Sequence, residues 1–488
     1  MNPRSRQRGD SSKRSSDLAP LEGLTVRAPT RSSRRGFLKA AALGIGFSCL
    51  LELAPDRARA AVRPTAESAT DFTVTAVERT TLRVPYRPAP KRAMDRELPH
   101  WRYTEIFEVS LRSGKTGLGE TLLYYTWGVS KDEDVRRAIG GNALSLMWDD
   151  SLGAGLQMAL FDAVGKTAGV PVHRLLGKKV HEKTPLSWWN IDMAPEDLAS
   201  ECAEALRKGY LSYKTKGRPW YDIWEQLDRA TKVVPEKFKI DMDFNDTLRD
   251  AERAIPILRD LEKYPQIDIY ETPIPQSDVD GNRRIREATK IAIALHYGTP
   301  SPRVVVEKGV CDGFVIGGGA ASVMRSGSFA GQVGMPFWLQ LVGTGVTAAF
   351  SLHFGGVLRH ATWPAVNCHQ LYTHELLAKP IQVKDGHATV PDAPGIGVEL
   401  DRDAVARFRV PKPARRPEPK RLLEVSYPGG RKLFIGSTGR VNFLLRCGND
   451  GTIPFYERGA MTRLVADDGS AGWRELWEKA SEKPFFVD

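Results

Sequence analysis

Cysteine is scarce in this chain of 488 residues: there are five, and no two of them form a C-x-x-C pair. A zinc ribbon and a dithiol redox pair are thereby excluded. Cys202, Cys311, Cys368 and Cys447 read as single buried thiols of a large core. Long apolar runs are missing as well. The uncharged stretch at residues 40–51 is too short to cross a bilayer. Interleaved basic and aromatic motifs are absent. The formal charge is +11, but residues 1–60 carry +7 of it. The remainder is too thinly spread to make a basic face, so nucleic acid is not expected as a partner. The length predicts two or three domains.

The first sixty residues read as a targeting segment. "SRRGFLK" (33–39) precedes the uncharged run, and "ARA" (58–60) offers small residues for cleavage before Ala61. The Arg34-Arg35 pair followed by Phe37-Leu38-Lys39 resembles a twin-arginine export signal. That resemblance implies a periplasmic or secreted protein, exported folded, with no stable membrane span once the signal is removed. An ordinary secretory signal or an uncleaved leader is the alternative.

Beyond the leader the pattern changes twice. Residues 61–183 predict an α+β domain. "FTVTAVERTTLRV" (72–84) and "TEIFEVSLR" (104–112) read as strands, from their β-branched and aromatic content. The proline-rich stretch between them reads as a loop. "SLGAGLQMALFDAVGKTAGVPVHRLLG" (151–177) has helical spacing. From 184 to about 410, short apolar strands alternate with helical stretches. Lys216, Asp243, Glu271 and Tyr297 fall at intervals of 27, 28 and 26 residues. One strand and one helix per period predict a parallel barrel. A doubly wound open sheet is the competing reading, but "PLSWWNIDMAPED" lacks its glycine-rich phosphate turn. "GGGAAS" (317–322) reads as a tight barrel loop. After the linker "PKPARRPEPKR", residues to 488 predict a small, mostly β module. Hairpins are expected at Pro428-Gly429-Gly430 and around Asn449-Asp450-Gly451, followed by a helix over "GWRELWEKA".

The chemistry of a parallel barrel sits at the C-terminal ends of its strands. There the sequence places "SYKTKG" (212–217), with Lys214 and Lys216 on one face of one strand. Asp243 and Asn245 of "DFN" and Glu271 of "YETP" follow on later strand ends. Two carboxylates on neighbouring ends can chelate a hard divalent cation such as Mg²⁺. A lysine beside a cation and a second lysine is pushed toward its neutral form, which accepts a proton.

These motifs, in this order, resemble the enolase superfamily, in its mandelate racemase and muconate lactonizing branch. The resemblance spans residues 72–410. It implies a (β/α)₇β barrel, a modified TIM barrel, closed by an α+β N-terminal capping domain. It implies metal-assisted removal of the proton next to a carboxylate from a small carboxylate substrate, ending in elimination by a dehydratase or cycloisomerase-type lyase, or in isomerisation. A catalytically silent member that binds a sugar acid is the alternative. Matched to the family, Lys216 is the expected base and Lys214 its electrostatic partner. Asp243 and Glu271 are the expected first two metal ligands. The family's third ligand, a carboxylate on the fifth barrel strand, falls in "ALHYG", where Tyr297 stands in register and His296 beside it. A His ligand would favour a softer divalent ion than Mg²⁺. Asp312 is kept as a catalytic candidate of the racemase type, without its His partner, in whose region Gln340 stands. Tyr124 and Tyr125, in the loop "GETLLYYTWG", join Asn245 and Gln340 as expected substrate contacts. His360, His369 and His374 are reserve candidates. A homo-oligomer is left open.

Overall fold

The computed structural model describes residues 71–125 and 128–487. The leader expected over residues 1–60 lies outside them. Three antiparallel strands open the fold: β1 (Val74–Arg83), β2 (Tyr103–Leu111) and β3 (Thr116–Leu122). The helix Ala154–Ala168 lies across them, and its approach sets the glycines of β3. A Cβ at Gly119 would stand 1.9 Å from the carbonyl oxygen of Gly155, a distance no side chain tolerates.

The proline-rich stretch between β1 and β2 is not the loop its composition suggests. It forms a helix, Pro88–Glu97, and a 3₁₀ turn, Pro99–Arg102. Its prolines fall in the first turn, where the missing N–H has no helical partner to lose. Ala93 and Met94 anchor the helix in the core.

Eight parallel strands then close a barrel. They are β4 (Lys183–Trp189), β5 (Ser212–Lys216), β6 (Lys239–Asp243), β7 (Ile267–Glu271), β8 (Ala292–His296), β9 (Gly313–Ile316), β10 (Phe337–Leu339) and β11 (Ala365–Val366). Each pairs with the next in parallel register through β10. A bridge from Gln340 to Val366 and the pairing of β11 with β4 complete the ring. The helices between them turn apolar stripes inward. On Ile223–Val233 the buried residues Ile223, Leu227 and Ala230 fall at helical spacing. This is the parallel barrel predicted from the period of the sequence, in the (β/α)₇β form that the resemblance implies.

The cap is fixed to the barrel by a buried carboxylate. Glu120 of β3 accepts from the backbone amides of Thr344 (2.9 Å) and Thr347 (3.1 Å) and from the Thr347 hydroxyl (2.8 Å). It thereby satisfies free N–H groups at the start of helix Gly345–Val357. The "GGGAAS" turn works the same way. The carboxylate of Asp150 accepts from the amides of Ala321 and Ser322, so a side chain of this chain fills the cradle. After the barrel, the chain returns to the cap, where Arg409 bridges to Leu82.

The C-terminal module is a four-stranded antiparallel sheet with the helix Ala471–Glu482 against it. Leu422–Ser426 and Lys432–Gly436 form the hairpin expected at Pro428-Gly429-Gly430. The second expected hairpin is not formed: residues Phe443–Asn449 are a helix. The module's apolar core, with Leu423, Val425, Phe443 and Leu444, also contains Trp220 and Tyr221 of the barrel. Among the described residues no helix is long and apolar enough to cross a membrane.

Candidate active site

The strand ends bring Lys214, Lys216, Asp243 and Glu271 into one buried cluster. Lys216 and Asp243 are register partners across β5 and β6, and Asp243 and Glu271 across β6 and β7. Lys214 Nζ is ion-paired with Glu271 and lies 3.6 Å from Asp243. It also donates to Gln340 Oε1 at 2.9 Å and stands 5.0 Å from the centre of the Trp338 ring. Lys216 Nζ is ion-paired with Asp243 and donates to Asn245 Oδ1 at 3.0 Å.

The two lysines are driven in opposite directions. Burial depresses both ammonium groups, but at Lys214 the Glu271 and Asp243 carboxylates outweigh it, and the group rests above an ordinary lysine. At Lys216 burial prevails over the attraction of Asp243, with the charges of Lys214 and Arg218 adding to it. The group rests below an ordinary lysine. Asp243 stays ionised: burial would raise it, but Lys216, Lys214 and Arg218 hold it below the usual carboxylate range.

The backbone after these strands bends sharply. Asn245 and Asp246 have φ of 43° and 71°, conformations Asn and Asp tolerate. Thr272, directly after Glu271, has φ of 46°, which a β-branched residue adopts only under strain. The strained residue adjoins a carboxylate of the cluster.

A cavity opens above the lysines. Tyr125, Asn245, His296 and Gln340 line it. Trp101, Trp189 and Trp220 also line it and were not singled out from the sequence. Trp101 and Trp189 stack at 5.7 Å with an angle of 19°, and Tyr125 meets Trp101 edge-on at 5.1 Å. Trp189 ends the first barrel strand, so the strand-end rule that picked out Lys216 also marks it.

Several expectations are corrected. Tyr124 does not line the cavity: its hydroxyl donates toward the carbonyls of Pro413 and Arg415 and holds the linker. Asp312 is not at the site. It precedes the first residue of β9, at the opposite end of the barrel, where it accepts from Arg286 Nε (2.6 Å) and the Ile293 amide (2.8 Å). Of the fifth-strand pair it is His296 that reaches the cluster, 3.1 Å from Glu271 Oε1. Tyr297 is turned outward onto Phe314 and Phe329. The reserve histidines do not line the cavity. His369 pairs with the Tyr210 hydroxyl at 3.0 Å, His374 with Asp401 at 3.2 Å, and the His360 carbonyl accepts from the Phe337 amide.

Residues 197–404 match the family described as "Enolase C-terminal domain-like". Over that stretch, less than half of its length, the chain is similar to the enolase superfamily. Among curated proteins it is 24% identical over 270 residues to the N-succinyl-L-Arg/Lys racemase of Bacillus cereus, covering 53% of this chain and 71% of that protein. It is 27% identical over 300 residues to the arabinonate dehydratase of Saccharolobus solfataricus, covering 59% and 78%. It is 26% identical over 353 residues to the D-galactarolactone cycloisomerase of Agrobacterium fabrum, covering 63% and 92%. The muconate cycloisomerase structure from Pseudomonas fluorescens superposes with a TM-score of 0.58 at 21% identity, over 70% of this chain and 99% of that one. That last likeness is one of fold.

The superfamily implies a divalent metal, and the residues here do not make its expected shell. A hard cation such as Mg²⁺ is held by oxygen donors. The third position is an imidazole, His296, and the two carboxylates are each paired with a lysine ammonium. Among the described residues no group of three or more His, Cys, Asp or Glu side chains is arranged to hold a metal ion. The Mg²⁺ set of Asp243, Glu271 and His296 is thus not assembled in this arrangement.

Proposed function

We propose that this protein abstracts the proton next to the carboxylate of a small organic acid, with Lys216 as the base. One observation carries the reading: two lysines of one strand end are buried together, Lys214 paired with Glu271 and Lys216 with Asp243, an arrangement in which burial lowers Lys216 while Glu271 and Asp243 raise Lys214. Asn245 and Asp243 aim the Lys216 nitrogen. The substrate carboxylate lies toward Lys214, whose ammonium offsets the charge that grows on its oxygens as the proton leaves. Lys216 gains that proton and returns it to the leaving group on the neighbouring carbon. A double bond forms there, and the proton count balances. Because base and acid are then the same group on one face, syn elimination of the dehydratase or cycloisomerase kind is favoured over two-base racemisation. The relatives, which include dehydratases, cycloisomerases and racemases, support the general chemistry.

A second reading, a silent binder of small carboxylates, is favoured by one feature. Among the described residues lining the cavity, Gln340 stands in the region where the racemase-type His is expected, and Asp312 lies at the far end of the barrel. Exchange of the α-proton with D₂O, followed by NMR across a panel of hydroxy-, amino- and unsaturated acids, separates the two. Exchange in the wild type and its loss in Lys216→Ala support the enzyme. No exchange with any acid, with Mg²⁺ or Mn²⁺ supplied, overturns it.

The place of action follows from residues 33–60, and we propose the periplasm by the twin-arginine route. Replacing Arg34 and Arg35 together by Lys should leave precursor in the cytoplasm. Normal export of that double variant would point to the general secretory route.

A further inference from the structure

The family match ends at residue 404, yet the cavity does not. Its outer wall includes Asn442 and Leu445, which belong to the C-terminal module. They stand three residues apart at the start of the helix Phe443–Asn449, so both turn toward the same side.

We propose that the C-terminal module is a fixed wall of the substrate pocket, and that the pocket takes carboxylates with an apolar or aromatic body in preference to short polyhydroxylated acids. The inference rests on the reading that the carboxylate lies against the lysines.

The wall is held from several directions. The Tyr456 hydroxyl is buried between Thr247 Oγ1 (2.6 Å) and the carbonyl of Gly217 (3.0 Å), the residue after Lys216. Arg249 donates to the carbonyls of Gly448 (3.0 Å) and Ile453 (3.2 Å). Asn449 Nδ2 donates to the carbonyl of Asn245 at 3.3 Å. Leu445 therefore sits on a helix tied at one end to the turn after β6 and at its core to Trp220.

The chemistry of the remaining walls selects the body of the ligand. The cavity is also lined by Trp101, Trp189, Trp220, Leu98, Ile191 and Val342. Two of the charged groups lining it are tied within the protein, although Asp192 Oδ1 keeps no hydrogen-bond partner. Arg218 donates to the Phe244 carbonyl (2.7 Å) and to Asn245 Oδ1 (2.5 Å), and Asp192 accepts from Arg96 and from Trp220 Nε1 (2.7 Å). Hydroxyls of a sugar acid would be buried against indole and alkyl faces with few partners, which costs free energy. An aromatic body would stack instead.

Ligand-observed NMR titration of the full chain tests this with three probes: N-acetyl-L-phenylalanine, D-gluconate and acetate. N-acetyl-L-phenylalanine should bind the wild type about tenfold or more tightly than D-gluconate, a gap of the size a shaped apolar pocket gives. Leu445→Trp should weaken N-acetyl-L-phenylalanine about tenfold and leave acetate unchanged, because acetate reaches only the lysine end. Leu445→Ala, which widens the mouth without filling it, should weaken the same probe by about threefold, and thermal unfolding checks that both variants fold. Equal affinity of wild type and Leu445→Trp for N-acetyl-L-phenylalanine would overturn the wall. Preference for D-gluconate, or binding of none of the probes, would overturn the ligand class. Binding is read without turnover. Failure of the base assignment, seen as exchange surviving in Lys216→Ala, is therefore distinct from failure of the wall.

Discussion

Asp243 and Glu271 face each other in register across two parallel strands, and each holds a different lysine of the same strand. Two ammonium groups one residue apart on a face would repel if both were unpaired. Here the partition between carboxylates makes them chemically unequal, and the proposed function depends on that inequality.

Removing one carboxylate should therefore cost stability. Asp243→Asn keeps the shape and deletes the charge, leaving Lys216 buried without its counter-ion. The expected loss is about 3–5 kcal/mol, as for breaking a buried pair, read as a lower midpoint in urea unfolding with an unchanged m-value. A change under about 0.5 kcal/mol, the scale of ordinary surface substitutions, would mean that the Lys216–Asp243 pair adds no net stability.

The lysines should differ in kinetics. Lys216→Ala should slow α-proton exchange by about 10²–10⁴-fold, the usual cost of losing a general base. Lys216→Arg should not rescue it, because a guanidinium stays protonated throughout this range. Lys214→Ala should weaken carboxylate binding as well as exchange. Identical profiles for Lys214→Ala and Lys216→Ala would argue against separate roles.

The imidazole at the third position can be exchanged for the carboxylate of the family pattern. His296→Asp would place a third oxygen donor beside Glu271, and Mg²⁺ affinity measured by titration calorimetry should rise about tenfold or more over wild type. Tight Mg²⁺ binding by the wild type, unchanged in the variant, would show that His296 does not limit the site.

Acid sensitivity should trace to His100. Its ring is buried in the 3₁₀ turn of the cap, neither nitrogen has a hydrogen-bond partner, and burial with the charges of Arg416 and Arg421 lowers it from 6.5 to about 3. Above 6.5 the ring is neutral in both states and the group adds no pH dependence. As pH falls from 6.5 toward 3, the unfolded chain takes up a proton that the folded one refuses, so stability falls. The slope is about 1.4 kcal/mol per pH unit. His100→Phe removes the titration, and its stability between pH 6 and 4 should decline less steeply than wild type by that amount. Parallel declines would place the acid sensitivity elsewhere.

The barrel was legible because its strands are short, apolar and evenly spaced, and spacing survives translation into structure. The side on which a residue falls is harder to read. Tyr297 keeps the period, but β8 ends at His296, and alternation turns His296 inward and Tyr297 outward. Asp312 was misplaced for a similar reason: β9 begins one residue after it, so it belongs to the end of the barrel away from the chemistry. The helix at 88–97 was hidden because a proline-rich stretch reads as a helix breaker, although proline is well tolerated in a first turn. The wall made by Leu445 was illegible because it depends on contacts more than 200 residues apart, such as Tyr456 with Gly217, which no local pattern encodes.

Arg421 of the module donates to the carbonyls of Arg96 and Glu97 in the cap, at 2.8 and 3.1 Å, while Tyr456 and Arg249 grip the barrel. The module is thus a crossbar between the two halves of the site. Because it follows the barrel in the chain, it leaves the ribosome after both of them. A nascent protein can have its cap and all eight barrel strands outside the ribosome and still hold an open, unfinished pocket. Assembly of this site is ordered in time, and its final step is the docking of a piece that carries none of the reacting groups.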